Sequence, residues 1–203
     1  MNGTPAAGRR RLLTSGGAVA GALALRWPAA TLVAGGAPVV AAAATVNHAL
    51  SRLPPLVLAQ SGELRRLGAG TMRWFGLHVY DAALWVREGA WDAADLFALD
   101  ILYARDISGK ALAESSITEM KRVGFTDEAQ HARWLPAMAR IFPDVGRGDR
   151  LVGLSIKGGA TFFNQDRLLG SIDDPVFARA FFAIWLDART REPQLRNRLL
   201  GKA

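Results

Sequence analysis

The chain has 203 residues, half of them hydrophobic and 21% charged, enough apolar material for one sizeable core. It has no cysteine, which excludes a disulfide framework, a thiolate metal site and a cysteine nucleophile. The formal net charge of +7 suggests an anionic partner, but residues 45–203 hold 21 basic and 18 acidic residues, a net of only +3. The remaining excess is Arg9, Arg10, Arg11 and Arg26 in an N-terminal stretch without acids. The basic residues are scattered rather than clustered with aromatics, so no nucleic-acid footprint is expected.

Residues 1–44 read as an export signal. Arg9-Arg10-Arg11-Leu12-Leu13 precedes the apolar run Gly16 to Leu25, and Ala42-Ala43-Ala44 offers a cleavage site. Paired arginines followed by leucines resemble a twin-arginine signal, although Gly8 stands where Ser or Thr is usual. The alternative is an uncleaved membrane anchor. Leu12 to Leu25 is 14 residues long, against the roughly 20 that span a bilayer. The second run, Ala29 to Val46, is rich in Ala and Gly and weakly hydrophobic. The expected location is the periplasm or another exported site, with inner-membrane anchoring as the alternative.

Residues 45–203 show no repeat or linker and read as one domain. Thr71 to Tyr80 alternates as a strand, with Thr71, Arg73, Phe75, Leu77 and Val79 on one face. Neither face is purely apolar, which predicts a sheet covered on one side and partly open on the other. Asp81 is expected to make a tight connection to a strand over Ala82 to Val86. Leu99 to Arg105 is a third strand. Ser108 to Val123 shifts to helical spacing, with Ser108 as N-cap and Gly124 as stop. Thr126 is expected to cap a second helix running to about Phe142, kinked at Pro136. Strands over Leu151 to Ile156, Thr161 to Asn164 and Arg167 to Ile172 form a meander, turning at Lys157-Gly158-Gly159 and Gln165-Asp166. Asp174 caps a helix opening on Pro175, with Phe177, Phe181, Ile184 and Trp185 as its apolar stripe. A last helix runs from Pro193 to Gly201. Strands, a helical pair, a meander and closing helices spell an α+β fold.

Two blocks carry a resemblance. In GAGTMRWFGLHVYDAALW (Gly68 to Trp85) a Gly-Ala-Gly turn leads into a strand, and a Val-Tyr pair precedes a second strand. FARAFFAIWLD (Phe177 to Asp187) is similar to a late helix. Together they resemble the chalcone isomerase-like family, over about Leu56 to Leu200. The resemblance implies a large antiparallel sheet with helices packed on one face, here in an exported, non-catalytic member of bacterial type.

In the family's isomerases a phenolate adds to an enone to close a ring. The resemblance implies an arginine after the glycine turn, a strand threonine, a tyrosine and an asparagine on the middle helix, and a late-helix hydroxyl. A cation binds the phenolate and the hydroxyls stabilise the developing enolate. Those positions fall on Met72, Phe75, Leu112, Glu119 and Ala180. Arg73 is one residue from the arginine position, and in a strand a one-residue shift reverses the face unless a bulge restores it.

Other chemistries lack their motifs. His48, His78 and His131 are not at metal-ligand spacing. No GxSxG is present, and Gly68-Ala69-Gly70 lacks the third glycine of a dinucleotide loop. Asp127-Glu128 and Asp173-Asp174 sit at helix starts, where capping explains them. The candidate ligand-binding residues are therefore Arg73, Trp74, Tyr80 and Tyr103. Arg73 beside Trp74 could bind a carboxylate against an indole wall, or lie on the surface. Tyr80 and Tyr103 could line a cleft or pack in the core. The expectation is a small apolar or carboxylate ligand such as a fatty acid, with no cofactor, no metal ligand and no catalytic residue. Membrane contact is expected only through an uncleaved N-terminal segment. The alternatives are an intramolecular lyase with a rearranged site, or haem binding through His78 or His131.

Overall fold

The computed structural model describes residues 50–165 and 167–202. Residues 1–44, read above as an export signal, lie outside the described residues, as do His48 and Asp166 of the expected turn. A short helix, α1 (Pro55–Ser61), precedes six strands: β1 (Arg65–Trp74), β2 (Leu77–Val86), β3 (Phe97–Tyr103), β4 (Arg150–Ile156), β5 (Gly159–Asn164) and β6 (Arg167–Ile172). Helices α2 (Gly109–Arg122) and α3 (Glu128–Ile141) separate β3 from β4, and α4 (Pro175–Leu186) and α5 (Pro193–Leu199) close the chain. The strands pair antiparallel with their sequence neighbours in one sheet, in the order β1-β2-β3-β4-β5-β6. The α+β reading is correct. Among the described residues no helix is long and apolar enough to cross a membrane.

The expected strand Thr71 to Tyr80 is instead two strands meeting at a tight turn. Phe75 (φ 47°) and Gly76 (φ 78°) both have positive φ, as the two-residue type I′ hairpin requires. Gly68-Ala69-Gly70 is not a turn but part of β1, and Asp81 is not a connection but a buried residue of β2. Glycine is needed in β1 because α5 lies directly upon it. A Cβ on Gly68 would stand 2.0 Å from the Arg198 carbonyl oxygen.

Both faces of the sheet are covered. Ala82, Leu84 and Val86 of β2, Phe97, Leu99 and Ile101 of β3, and Phe162 of β5 pack under α2, α3, α4 and α5. The opposite face, expected to be partly open, carries a second cluster. There Ala83, Trp85, Ala98, Val152, Leu154 and Phe163 lie under Leu50, Leu53, Val57 and Leu64, the segment containing α1. Covering on both sides explains why β2 is buried without interruption from Asp81 to Val86.

The helix starts follow capping chemistry. Ser108 accepts from the Ala111 amide, and Asp127, rather than Thr126, accepts from Ala129 and Gln130. Pro136 lies inside α3, which continues to Ile141. Asp174 accepts from the Val176 and Phe177 amides and, through its other oxygen, from Trp134 Nε1 at 2.9 Å. Burial pushes the Asp174 carboxyl up, but the Trp134 bond and the two amides outweigh it and hold it below its ordinary value. A depressed carboxyl contributes stability above its unfolded pKa that is lost as pH falls through the folded one. Asp174→Ala is expected to cost about 1–2 kcal/mol near neutral pH, measured by denaturant unfolding. The gap from wild type should narrow below about pH 4, and a constant gap would contradict the assignment.

Candidate functional site

The space between sheet and helices is packed with aromatic rings. Phe97 meets Phe182 at 4.8 Å between centroids, Phe182 meets Phe181 at 5.3 Å, and Phe181 meets Trp185 at 5.4 Å. Trp185 closes the chain by donating Nε1–H to the Tyr80 hydroxyl oxygen at 2.9 Å. Tyr80 is directly opposite Tyr103 in the β2–β3 register, with the rings edge to face at 6.1 Å. On the other side of β2, Tyr80 pairs with Met72. Met72, Tyr80 and Tyr103 thus form one row across three strands, on the face covered by the helices. Trp74 continues the row toward the hairpin turn, two residues beyond Met72 on β1.

Burial pushes both phenol pKa values well up, and at Tyr80 the charges of Glu192 and Glu119 add to the effect while the Trp185 bond opposes it. Both groups are therefore neutral hydroxyls at physiological pH. Tyr80 uses its oxygen as acceptor, and no described residue accepts either phenol proton. The row offers two hydroxyl donors set in an apolar wall.

The cation beside this wall comes from the α4–α5 loop. Arg191 lies over the Trp74 ring, 4.9 Å from its centroid, and its Nη2 is 2.9 Å from Glu119 Oε1 of α2. The other oxygen of Glu119 takes Arg122 Nε at 3.1 Å. Arg191 Nε is buried and has no hydrogen-bond partner. Sequence reasoning misses Arg191, which lies in a loop without periodicity and is brought to Trp74 only by the tertiary fold.

Arg73 is not part of this constellation. The register shift between Met72 and Arg73 falls on β2, where Val79 is the extra residue, so β1 keeps its alternation. Arg73 is exposed on the opposite face from Met72, with Nη1 3.3 Å from the Gly76 carbonyl oxygen. Its cross-strand partner His78 places Nε2 2.8 Å from Asp81 Oδ2, and Thr71 donates to Asp81 Oδ1. Of the four residues expected at a ligand site, the structure groups Trp74, Tyr80 and Tyr103 and sets Arg73 apart.

The positions aligned with the isomerase machinery, Met72, Phe75, Leu112, Glu119 and Ala180, carry none of its arginine, asparagine or hydroxyl groups. Phe75 is the hairpin turn, Ala180 is buried in α4, and Glu119 is held by two arginines. His131, a candidate haem ligand, is buried with Nε2 at 2.9 Å from the Phe125 carbonyl and its ring 5.9 Å from Trp134. Among the described residues no group of three or more His, Asp or Glu side chains is placed to hold a metal ion.

Comparisons agree with this architecture. None of the curated proteins matches the sequence. Among solved structures the chain is similar to the crystal structure of a fatty-acid binding protein from Arabidopsis thaliana, at 12% identity and a TM-score of 0.53, covering 74% of this chain and 95% of that one. The family model described as chalcone isomerase-like matches residues 46–201. A match of that extent, over a sheet-and-helix layer of the expected composition, shows that this chain belongs to the chalcone isomerase-like family.

Proposed function

We propose that the domain binds a small apolar ligand with an acidic head, a fatty acid being the type case, and does not catalyse its conversion. The observation that carries this reading is the row Met72, Trp74, Tyr80 and Tyr103, an apolar wall with two neutral hydroxyl donors and the Arg191 guanidinium at its edge. A carboxylate suits that end, because Arg191 has a buried N–H without a partner and no described residue accepts the phenol protons. The name of the Arabidopsis neighbour, a fatty-acid binding protein, supports the same ligand class. Arg191 takes the place that the sequence alone suggests for Arg73. Export to the periplasm, guided by residues 1–44, belongs to the same proposal, and fractionation of the expressing cells tests it.

Titration of delipidated protein with a long-chain fatty acid and with the matching alcohol tests the ligand class. The acid is expected to bind at micromolar levels. Arg191→Met should weaken it about tenfold, the size of one charge-assisted hydrogen bond, while binding of the alcohol stays unchanged. Absence of micromolar binding by either compound would overturn the proposal.

A further inference from the structure

The tip of the β1–β2 hairpin is built against local preference. A type I′ turn favours Asn or Asp at its first central position, because these residues tolerate positive φ. Here that position is Phe75, at φ 47°. The ring gains almost no burial in return, since Phe75 is 89% exposed, with its ring edge to face with that of Trp74 at 5.1 Å. Leu77, paired across the turn with Trp74, is 51% exposed. A bulky residue in a left-handed conformation with its side chain in water is unfavourable on both counts, and such outliers concentrate at functional positions. Beside them stand Arg73 and His78, and residues 71–80 contain no acid.

We infer that the hairpin tip, Trp74-Phe75-Gly76-Leu77, inserts into the surface of a lipid bilayer containing anionic lipid. Aromatic and aliphatic side chains exposed at a hairpin turn, flanked by a guanidinium, match the boundary between acyl chains and negatively charged headgroups. The absence of acidic residues on the tip removes the repulsion such a surface would impose. Trp74 also belongs to the wall described above, so a tip seated in a bilayer stands beside the proposed ligand wall. The inference does not need that ligand, because vesicle binding is measured without it.

The lack of cysteine makes the test site-specific. The full-length Phe75→Cys chain is labelled with an environment-sensitive fluorophore and mixed with phosphatidylcholine vesicles with and without phosphatidylglycerol. Leu168→Cys, at a half-exposed position of β6, is the control. The label at position 75 is expected to shift to the blue with anionic vesicles and to be quenched by a lipid-borne quencher, and the label at 168 to stay aqueous. Unlabelled variants separate a structural role from an interfacial one. Phe75→Asn suits the turn, so it should raise the melting temperature while weakening vesicle binding by about tenfold. Phe75→Leu should keep most of the binding. All variants retain residues 1–49, so any affinity of that segment for lipid cancels. A label at 75 that stays aqueous on saturating vesicles would overturn the inference. A blue shift that grows with protein concentration without lipid would also overturn it, in favour of a contact between copies of the chain.

Discussion

Arg150→Met is expected to cost about 3–5 kcal/mol, because it strands a carboxylate in the core. Asp100 lies in the middle of β3 with no exposed surface, on the sheet face covered by the segment around α1. Arg150 donates Nε–H to Asp100 Oδ1 at 2.7 Å and Nη2–H to Oδ2, and Nη2 also reaches the Arg52 carbonyl at 2.7 Å. One side chain thus neutralises the buried acid and ties the α1 segment to the sheet. At about 2–4 °C per kcal/mol in a chain of this size, melting should fall by roughly 6–20 °C.

The pH dependence distinguishes this cause from a simple loss of packing. Burial pushes the Asp100 carboxyl up, and the bonds and charge of Arg150 oppose it, with a smaller contribution from the Trp85 indole. Without Arg150, only that smaller contribution opposes burial. A carboxyl whose folded pKa is raised holds its proton more tightly in the folded state. The stability linked to that proton is present below the unfolded pKa and is lost as pH rises through the folded one. The deficit of Arg150→Met should therefore be largest at neutral pH and shrink as pH falls toward about 4. Adding Asp100→Leu should recover most of the loss at neutral pH, since replacing both partners removes the stranded charge. Denaturant unfolding of the three variants at several pH values decides the matter. A deficit that grows on acidification would refute the buried-charge explanation.

That ion pair also shows where sequence reasoning stops. Asp100 alternates with Leu99 and Ile101, and from the strand alone it reads as solvent-facing. Its partner is 50 residues away, and nothing local announces the pairing. The elements that were legible had local causes. Helical spacing and Ser108 marked α2, Asp174 and Pro175 marked α4, and short alternating runs marked β4, β5 and β6. The hairpin was hidden because Phe75 resembles a strand residue and Gly76 alone is a weak turn signal. α1 was hidden because it spans 7 residues and opens on the second of two prolines, too short for a periodic pattern. At the candidate site, Trp74, Tyr80 and Tyr103 stood out as aromatics at strand spacing. The side to which Arg73 points required the true register, and Arg191 required knowing where the α4–α5 loop returns to the sheet.

Gly68→Ala is expected to cost about 3 kcal/mol, at the upper end of what a single added methyl group does to a packed contact. The new Cβ would stand 2.0 Å from the Arg198 carbonyl oxygen and 2.6 Å from that of Leu199. Both are backbone atoms of the last turn of α5, so no side-chain rotation relieves the clash and the helix must move off β1. Leu195 and Leu199, which α5 buries against the core, would be partly exposed. Gly70→Ala should cost less, because it meets the Leu195 and Arg198 side chains, which can shift. Gly89→Ala, with nothing within 4 Å, should be nearly neutral. Melting temperatures should rank the three in that order, and amide exchange in Gly68→Ala should quicken across α5 before β2, β3 and β4. A Gly68→Ala protein as stable as the Gly89→Ala control would mean that α5 does not depend on this contact. Displacing α5 also reaches the candidate site. Arg191 lies just ahead of α5, and the Arg196 bond to the Leu186 carbonyl at 2.7 Å joins α5 to the end of α4. Loosening that junction frees the guanidinium from Trp74, so Gly68→Ala should weaken fatty-acid binding more than alcohol binding, as Arg191→Met does.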